Sequence, residues 1–107
     1  MKKQRGSWFD EESNEIDPYV FRLYISGASP NSLMAVANLK ALFEKYLTNH
    51  YELQIIDVYQ QPLVVKNVDI IALPLLIKKS PLPERRWIGD MSNNDKILRG
   101  LNLAPEM

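Results

Sequence analysis

A strand, helix and strand pattern in the first half of the chain restricts the protein to a small set of folds. Apolar β-forming residues alternate over Tyr19–Ile25 with the period of two that is typical of a strand. Ser29 and Pro30 then supply a helix cap and a first helical residue without an amide donor. The helical spacing runs to about Leu47, and a second alternating run starts at Tyr51. The order predicts a right-handed crossover between two parallel strands, which begins an α/β domain.

The second half of the chain is less determined by its pattern. Residues 63–71 fit either a helix or an extended run of β-branched residues, and the pattern does not choose between them. Residues 75–77 predict a further strand, and residues 85–88 predict an edge strand. Ser92, followed three residues later by Asp95, predicts the capped start of a short terminal helix.

Residues 1–17 differ in composition from the rest of the chain. Three basic residues are followed by five acidic ones, and the sizeable apolar groups are Trp8, Phe9 and Ile16. This predicts a polar N-terminal arm, which is either a flexible terminus or a segment whose Trp8 and Phe9 dock on a neighbouring subunit. We assign residues 18–104 to one domain, because 107 residues are too few for two.

The composition excludes several classes of protein. The chain has no cysteine, which removes disulfides, thiolate nucleophiles and thiolate metal sites. Thirteen basic and thirteen acidic residues give a formal charge of zero, so no overall field favours nucleic acid or anionic lipid. The apolar stretch of residues 70–77 is too short to span a bilayer, and the acidic residues 10–12 stand where a signal peptide is apolar. We expect a cytoplasmic protein with no membrane or nucleic-acid partner.

Candidates for catalysis are few. His50 is the only histidine, which excludes a histidine metal cluster. Asp57 ends a buried strand and is a candidate general base, but a carboxylate there is more often a turn partner. The four glycines are scattered and form no phosphate-binding loop. We expect no enzyme activity, no metal and no cofactor.

Two basic clusters flank the proline-rich bend at residues 81–83. They are Lys78-Lys79 and Arg85-Arg86-Trp87. One interpretation is a solvated sheet edge that is protected from unwanted strand pairing. The other is a binding edge, because Arg and Trp dominate the energetics of interfaces. The residues alone leave both interpretations open.

Two motifs are more specific than a generic turn or strand pattern. Residues 23–32 read Leu-Tyr-x-x-Gly-x-x-Pro-Asn-Ser, and residues 81–90 read Pro-x-Pro-x-Arg-Arg-x-Ile-Gly-Asp. Shorter matches lie at residues 55–58, 72–74 and 97–101. Over about Pro18 to Ala104 the chain resembles the KaiB family of circadian clock proteins.

The resemblance implies a thioredoxin-related α/β fold that exists in two forms. One is a resting homotetramer with a rearranged second half, in the order strand-helix-strand-strand-helix-helix-strand. The other is a thioredoxin-like monomer, in the order strand-helix-strand-helix-strand-strand-helix. We expect the resting form here, with residues 63–88 in the region that rearranges. Pro74 matches the proline that is cis in the thioredoxin-like form, which makes it a candidate fold-switch residue. Ser29 and Ser32 stand where thioredoxins carry two cysteines.

The resemblance also implies a non-enzymatic regulator that binds a KaiC-like hexameric ATPase and modulates its phosphorylation and ATPase cycle, in circadian or stress-adaptation signalling. A further implied partner is the chain itself, as a homotetramer or dimer. The alternatives are an adaptor related to the KaiB-like sensor domain of a histidine kinase, or a thioredoxin-like protein with another partner. The implied partner-binding residues are Arg22, Lys40, Arg85, Arg86, Trp87 and Asp90.

Some positions depart from the family pattern. Met34 and Asn38 stand where cyanobacterial relatives commonly have basic residues on the first helix, and residues 65–68 replace an acidic run. Leu73 and Leu75 replace threonines beside the matching proline. These differences change the surface used for partner recognition. They favour a divergent member from outside the cyanobacteria.

Overall fold

The computed structural model describes residues 18–63, 65–70 and 72–103, which form a mixed four-stranded sheet with two helices. The predicted arm, with Trp8 and Phe9, lies outside the described residues. The elements are β1 (Tyr19–Ile25), α1 (Pro30–Tyr46), β2 (Tyr51–Asp57), β3 (Leu75–Ser80), β4 (Arg85–Ile88) and α2 (Asn94–Gly100). The strands lie in the order β2-β1-β3-β4. Strand β1 is parallel to β2 and antiparallel to β3, and β3 is antiparallel to β4. The predicted crossover unit is therefore confirmed.

Helix α1 begins where its capping residues predict. The Ser29 hydroxyl accepts a hydrogen bond from the Ser32 amide at 3.3 Å, and Pro30 is the first helical residue. The helix ends at Tyr46, after which the Leu47 amide donates to a carbonyl of the last turn. The buried face of the helix carries Ser32, Ala35, Leu39, Leu42 and Phe43.

The two central strands bury side chains on both faces of the sheet. On one face Leu23 and Leu76 join the apolar faces of both helices in a single core. On the other face Tyr24 and Leu75 form a second, smaller core. Successive residues of a strand point to opposite faces, which is why neighbours in one strand belong to different cores. The smaller core is covered by the segment after β2, through Val58, Val65, Val68, Ile70 and Leu73.

The described residues between β2 and β3 form turns. A helix over residues 63–71, one of the two patterns considered, is therefore not what they adopt. The Val68 amide donates to the Val65 carbonyl at 3.0 Å, and the Gln60 and Gln61 amides both donate to the Asp57 carbonyl. A helix would restrict the side-chain rotamers of the valines, which costs conformational entropy. The observed turns place the valines against the sheet at a lower cost in entropy.

After β2 the described residues form a strand, a strand and a helix, which is not the rearranged order expected for a resting form. The hairpin of β3 and β4 shows the reason, because it buries three consecutive apolar residues of β3 and pairs Leu76 with Trp87. The order matches the thioredoxin-like order except that the helix expected before these two strands is not formed by the described residues. The Leu73–Pro74 peptide bond is cis, as are Ser80–Pro81 and Leu82–Pro83. Pro74 therefore has the isomer that the resemblance implies for the thioredoxin-like form.

Helix α2 starts one residue later than the sequence predicts. Its cap is Asn93, whose Oδ1 accepts a hydrogen bond from the Lys96 amide at 3.1 Å. The predicted cap, Ser92, is wrong because its own amide donates to Asp90 Oδ1 at 3.0 Å and closes the preceding turn. An asparagine is as good a cap as a serine, so the turn geometry decides between them.

Candidate functional site

The hairpin of residues 75–88, which we call the basic hairpin, holds Arg85, Arg86 and Trp87 of the predicted partner-binding residues. Glu84 is its one acidic residue, and its carboxylate lies 3.3 Å from Lys79 Nζ and 3.9 Å from Arg86 Nη2. Such exposed ion pairs contribute about 0–1 kcal/mol each. The hairpin is therefore a positively charged edge of the sheet, and its basic residues are Lys78, Lys79, Arg85 and Arg86.

Strand alternation separates the two arginines of β4. Arg85 lies on the face that the helices cover, and Arg86 lies on the opposite face. Across the sheet, Arg22 of β1 pairs with Ile77, and Ile77 pairs with Arg86. Arg22 and Arg86 therefore share one face, two strands and about 10 Å apart. Arg86 Nη1 also donates to the Asp69 carbonyl at 2.6 Å, which ties β4 to the segment after β2.

Trp87 belongs to the core. Its side chain is only 6% exposed and lies in the core beneath both helices. A Cβ atom at Gly100 would stand 2.5 Å from Trp87 Cζ2, so helix α2 approaches the indole closely at a residue without a side chain. The resemblance implies that Trp87 is a partner-binding residue. Burial instead makes it the residue that fixes β4, and with it the two arginines, to helix α2.

The remaining predicted residues lie near helix α1, apart from the basic hairpin. Asn38 Nδ2 donates to the Asp90 carbonyl at 2.8 Å, which joins the turn after β4 to the helix. Hydrogen bonds from the hydroxyl and then the amide of Ser92 hold the pKa of the Asp90 carboxyl below its usual value. Lys40 is exposed two residues farther along the helix. The structure thus divides the predicted residues between the hairpin side and the α1 side.

Lys78 is the functional candidate that sequence reasoning missed. The residue is 3% exposed, and burial followed by the charge of Arg85 lowers the pKa of its ammonium group. From the sequence alone Lys78 belongs to either a solvated edge or a binding edge, and neither interpretation predicts its burial. A signal was present, because Lys78 follows the core residue Leu76 by two and therefore points to the same face.

The Asp57 side chain stabilises the turns at the ends of β1 and β2 by accepting hydrogen bonds. Its Oδ1 accepts hydrogen bonds from the Gly27 amide at 3.2 Å and from the Tyr59 amide at 3.0 Å. Gly27 has a φ of 59°, a conformation that glycine adopts at little cost. The carboxylate thus joins the ends of β1 and β2, which supports the turn role over that of a general base.

Replacing Asp57 with alanine is expected to lower the free energy of unfolding by about 1–3 kcal/mol, because two amides lose their acceptor. Asp57→Asn keeps an oxygen at the same place and should lose much less. Urea denaturation of both variants measures the difference. Equal losses in the two variants would show that the charge of Asp57, and not its two hydrogen bonds, is what matters.

Serine hydroxyls occupy the N-terminus of α1. Ser29 Oγ donates to Ser32 Oγ at 2.9 Å, and the Ser26 amide donates to Ser32 Oγ at 3.1 Å. Among the described residues, no hydrogen bond brings a basic side chain to these hydroxyls. The cluster therefore caps the helix and closes the turn before it.

The described residues contain neither a metal-binding cluster nor a helix that could span a membrane. Over residues 18–63, 65–70 and 72–103, no cluster of three or more acidic or histidine side chains has the arrangement of a metal site. In the same ranges, neither helix has the length and apolar character needed to cross a membrane.

Comparison with known proteins gives strong sequence matches. A family model described as the KaiB domain matches residues 22–103. The circadian clock protein KaiB3 of Synechocystis is 42% identical over 92 residues, which cover 86% of this chain and 90% of the relative. The circadian clock oscillator protein KaiB of Thermosynechococcus vestitus is 43% identical over 88 residues, which cover 82% of each chain.

Solved structures agree on the fold. The solution structure of the N-terminal domain of Synechococcus elongatus SasA is similar with a TM-score of 0.68 and 24% identity, over 90% of each chain. The crystal structure of chloroplastic thioredoxin z is similar with a TM-score of 0.64 and 18% identity, over 80% of each chain. These likenesses establish a thioredoxin-like fold. Because the domain match spans most of the sequence and the clock proteins share more than two-fifths of its aligned residues, the chain belongs to the KaiB family.

Proposed function

We propose that this protein is a non-enzymatic, cytoplasmic regulator that binds a KaiC-like hexameric ATPase through the basic hairpin. Membership of the KaiB family supports the regulatory role. The observation that carries the binding proposal is the exposure of Arg85 and Arg86 on the outermost strand of the sheet.

The edge position of β4 supports this use. Strand β4 pairs with β3 on one side, and no described strand pairs with its other side. Backbone groups along such an edge are able to pair with a strand of a partner. The planar guanidinium group of arginine donates two parallel hydrogen bonds to a carboxylate. Complementary charge on the two proteins also raises their association rate. We therefore expect the partner to present an acidic surface beside an extended segment.

Three side chains considered for catalysis make structural hydrogen bonds. The hydroxyls of Ser29 and Ser32 cap α1, and the Asp57 carboxylate accepts from two turn amides. A dithiol reductase needs cysteines, and the sequence has none. These observations support a role in regulation by binding. A protein that binds one state of the ATPase more tightly shifts the ATPase towards that state, in proportion to the difference in affinity.

Co-purification with the KaiC-like ATPase of the same organism tests the proposal. The tagged full chain is mixed with the ATPase with and without ATP, and the mass of the free protein is measured in parallel. We expect a complex under at least one nucleotide condition, and a free mass that reports a monomer, dimer or homotetramer. No complex under any nucleotide condition would contradict the proposal, and capture of a histidine kinase instead would favour the adaptor alternative.

A further inference from the structure

Lys78 is a buried basic residue in uncharged surroundings. It is 3% exposed, and it follows the core residue Leu76 by two, so both side chains start from the face of the sheet that the helices cover. Its partner in β1 is Phe21, and the buried residues of that core, which come from the sheet and both helices, are uncharged. Among the described residues, no carboxylate lies within ion-pair distance of Lys78. A buried charge without an opposite partner is costly, so these surroundings favour the neutral amine over the ammonium group.

Arg85 adds a second positive charge beside Lys78. The two residues are opposite each other in the pairing of β3 with β4, so their side chains start from the same face of the sheet. Glu84, the one carboxylate of the basic hairpin, is within ion-pair distance of Lys79 and Arg86 instead. In the part of the chain that the structure describes, Arg85 therefore has no carboxylate as a partner. Burial, followed by the charge of Arg85, lowers the pKa of the Lys78 ammonium group.

This environment makes the Lys78 amine a nucleophile. Only the neutral form of lysine has a lone pair on Nζ, and an apolar site or a neighbouring cation increases the fraction of that form. Lys78 has both of these features. The next residue, Lys79, is a natural comparison, because its side chain is 36% exposed and its Nζ lies 3.3 Å from the Glu84 carboxylate.

Burial and charge together select the reagent that suits this amine. An enzyme that modifies lysines needs an exposed side chain, whereas a small uncharged molecule is able to reach a side chain that is 3% exposed. Carbon dioxide is small and uncharged, and it reacts with neutral amines to give an anion. An acyl group or an aldehyde would remove the charge of Lys78 but would supply no negative charge to Arg85.

We propose that Lys78 is a carbon dioxide site, at which the Nζ atom forms a carbamate that pairs with the Arg85 guanidinium group. The ammonium group first gives one proton to water. The Nζ lone pair then forms a bond to the carbon of carbon dioxide, the electrons of one carbon–oxygen π bond move to oxygen, and the nitrogen gives a second proton to water. The side chain changes from a cation to an anion, and hydrogen bonds from a guanidinium group to such an anion are strong. The proposal does not depend on the proposed function.

Trapping the carbamate in the full chain tests this site. The protein is equilibrated with isotopically labelled carbon dioxide near neutral pH, a trialkyloxonium salt converts carbamates to stable esters, and mass mapping assigns each ester to a residue. We expect labelled ester at Lys78 and little or none at Lys79. No ester at Lys78, or equal labelling of the two lysines, would overturn the proposal. This comparison is made within the unmodified chain, so it does not depend on the folding of a variant.

Three variants test the role of the neighbouring charge. Lys78→Met has a side chain of similar length without an amine, so the labelled ester at this position should be lost completely. Arg85→Gln removes both the charge that favours the neutral amine and the counter-ion of the product, so labelling of Lys78 should fall several-fold. Arg99→Gln removes the same charge from an exposed position on α2 and should leave the labelling unchanged. Equal labelling of Lys78 in the Arg85→Gln variant and the unmodified chain would overturn the pairing with Arg85.

Discussion

Replacing Trp87 with alanine is expected to lower the free energy of unfolding by about 3–5 kcal/mol. The indole is 6% exposed, and its strand pairs with Leu76 of β3 while helix α2 contacts it at Gly100. Truncation removes buried apolar area and leaves a cavity between the sheet and both helices. The total free energy of unfolding of a native domain is about 5–15 kcal/mol, so the expected loss is a large fraction of it. Urea denaturation of the full chain measures it.

Ile88 is the matched control for this prediction. It is the next residue of β4 and is 53% exposed, so Ile88→Ala should change the unfolding free energy by only about 0.5–1 kcal/mol. Trp87→Phe, which keeps an aromatic ring in the core, should lose less than Trp87→Ala. If Trp87→Ala and Ile88→Ala cost the same, Trp87 would not be the residue that holds β4 to α2.

Reversing the charge of Arg85 and Arg86 together is expected to weaken binding to the KaiC-like ATPase by at least about 100-fold. Placing glutamates against an acidic partner costs several kcal/mol, and each 1.4 kcal/mol is a factor of ten in affinity. Both residues are exposed on β4, so the fold should tolerate the change better than a core substitution. A binding titration of Arg85→Glu with Arg86→Glu against the unmodified chain gives the ratio.

Lys96→Glu with Arg99→Glu provides the matched charge control. Both residues are exposed on α2, and their reversal alters the net charge by the same amount on a different surface. This variant should bind nearly as well as the unmodified chain. Equal weakening by both pairs would mean that the partner senses only overall charge. Urea denaturation of each variant confirms that the comparison is made between folded proteins.

The first half of the fold is predictable because its signals are local. Tyr19–Ile25 is a run of β-forming residues, and Ser29 with Pro30 specifies the start of α1 through hydrogen bonds made within one turn. Tyr51–Asp57 follows at a distance that requires a parallel crossover. Each of these features depends on residues close together in the sequence, so the pattern and the structure agree.

The segment after β2 was not predictable for the opposite reason. Val64, Val68 and Ile71 suit a helix by spacing and a strand by side-chain branching. In the structure Val65 and Val68 pack against the smaller core, which includes Tyr24, a residue distant in the sequence. Tertiary contacts therefore decide a conformation that local preference leaves open.

The site was predictable in residue type but not in arrangement. The basic residues of β4 were identified from their sequence, but the shared face of Arg22 and Arg86 depends on the register of three strands. The same register turns Trp87 inwards and buries Lys78. The pairing of Leu76 with Trp87 determines which residues of β4 face the core and which face solvent. This pairing cannot be read from a single sequence.

Hydrogen exchange of the full chain, free and in complex with the KaiC-like ATPase in the presence of ATP, tests recognition through the basic hairpin. We expect binding to slow exchange most at residues 84–88, because their edge becomes covered by the partner. A complex that forms while these amides exchange as fast as in the free protein would contradict recognition through the basic hairpin.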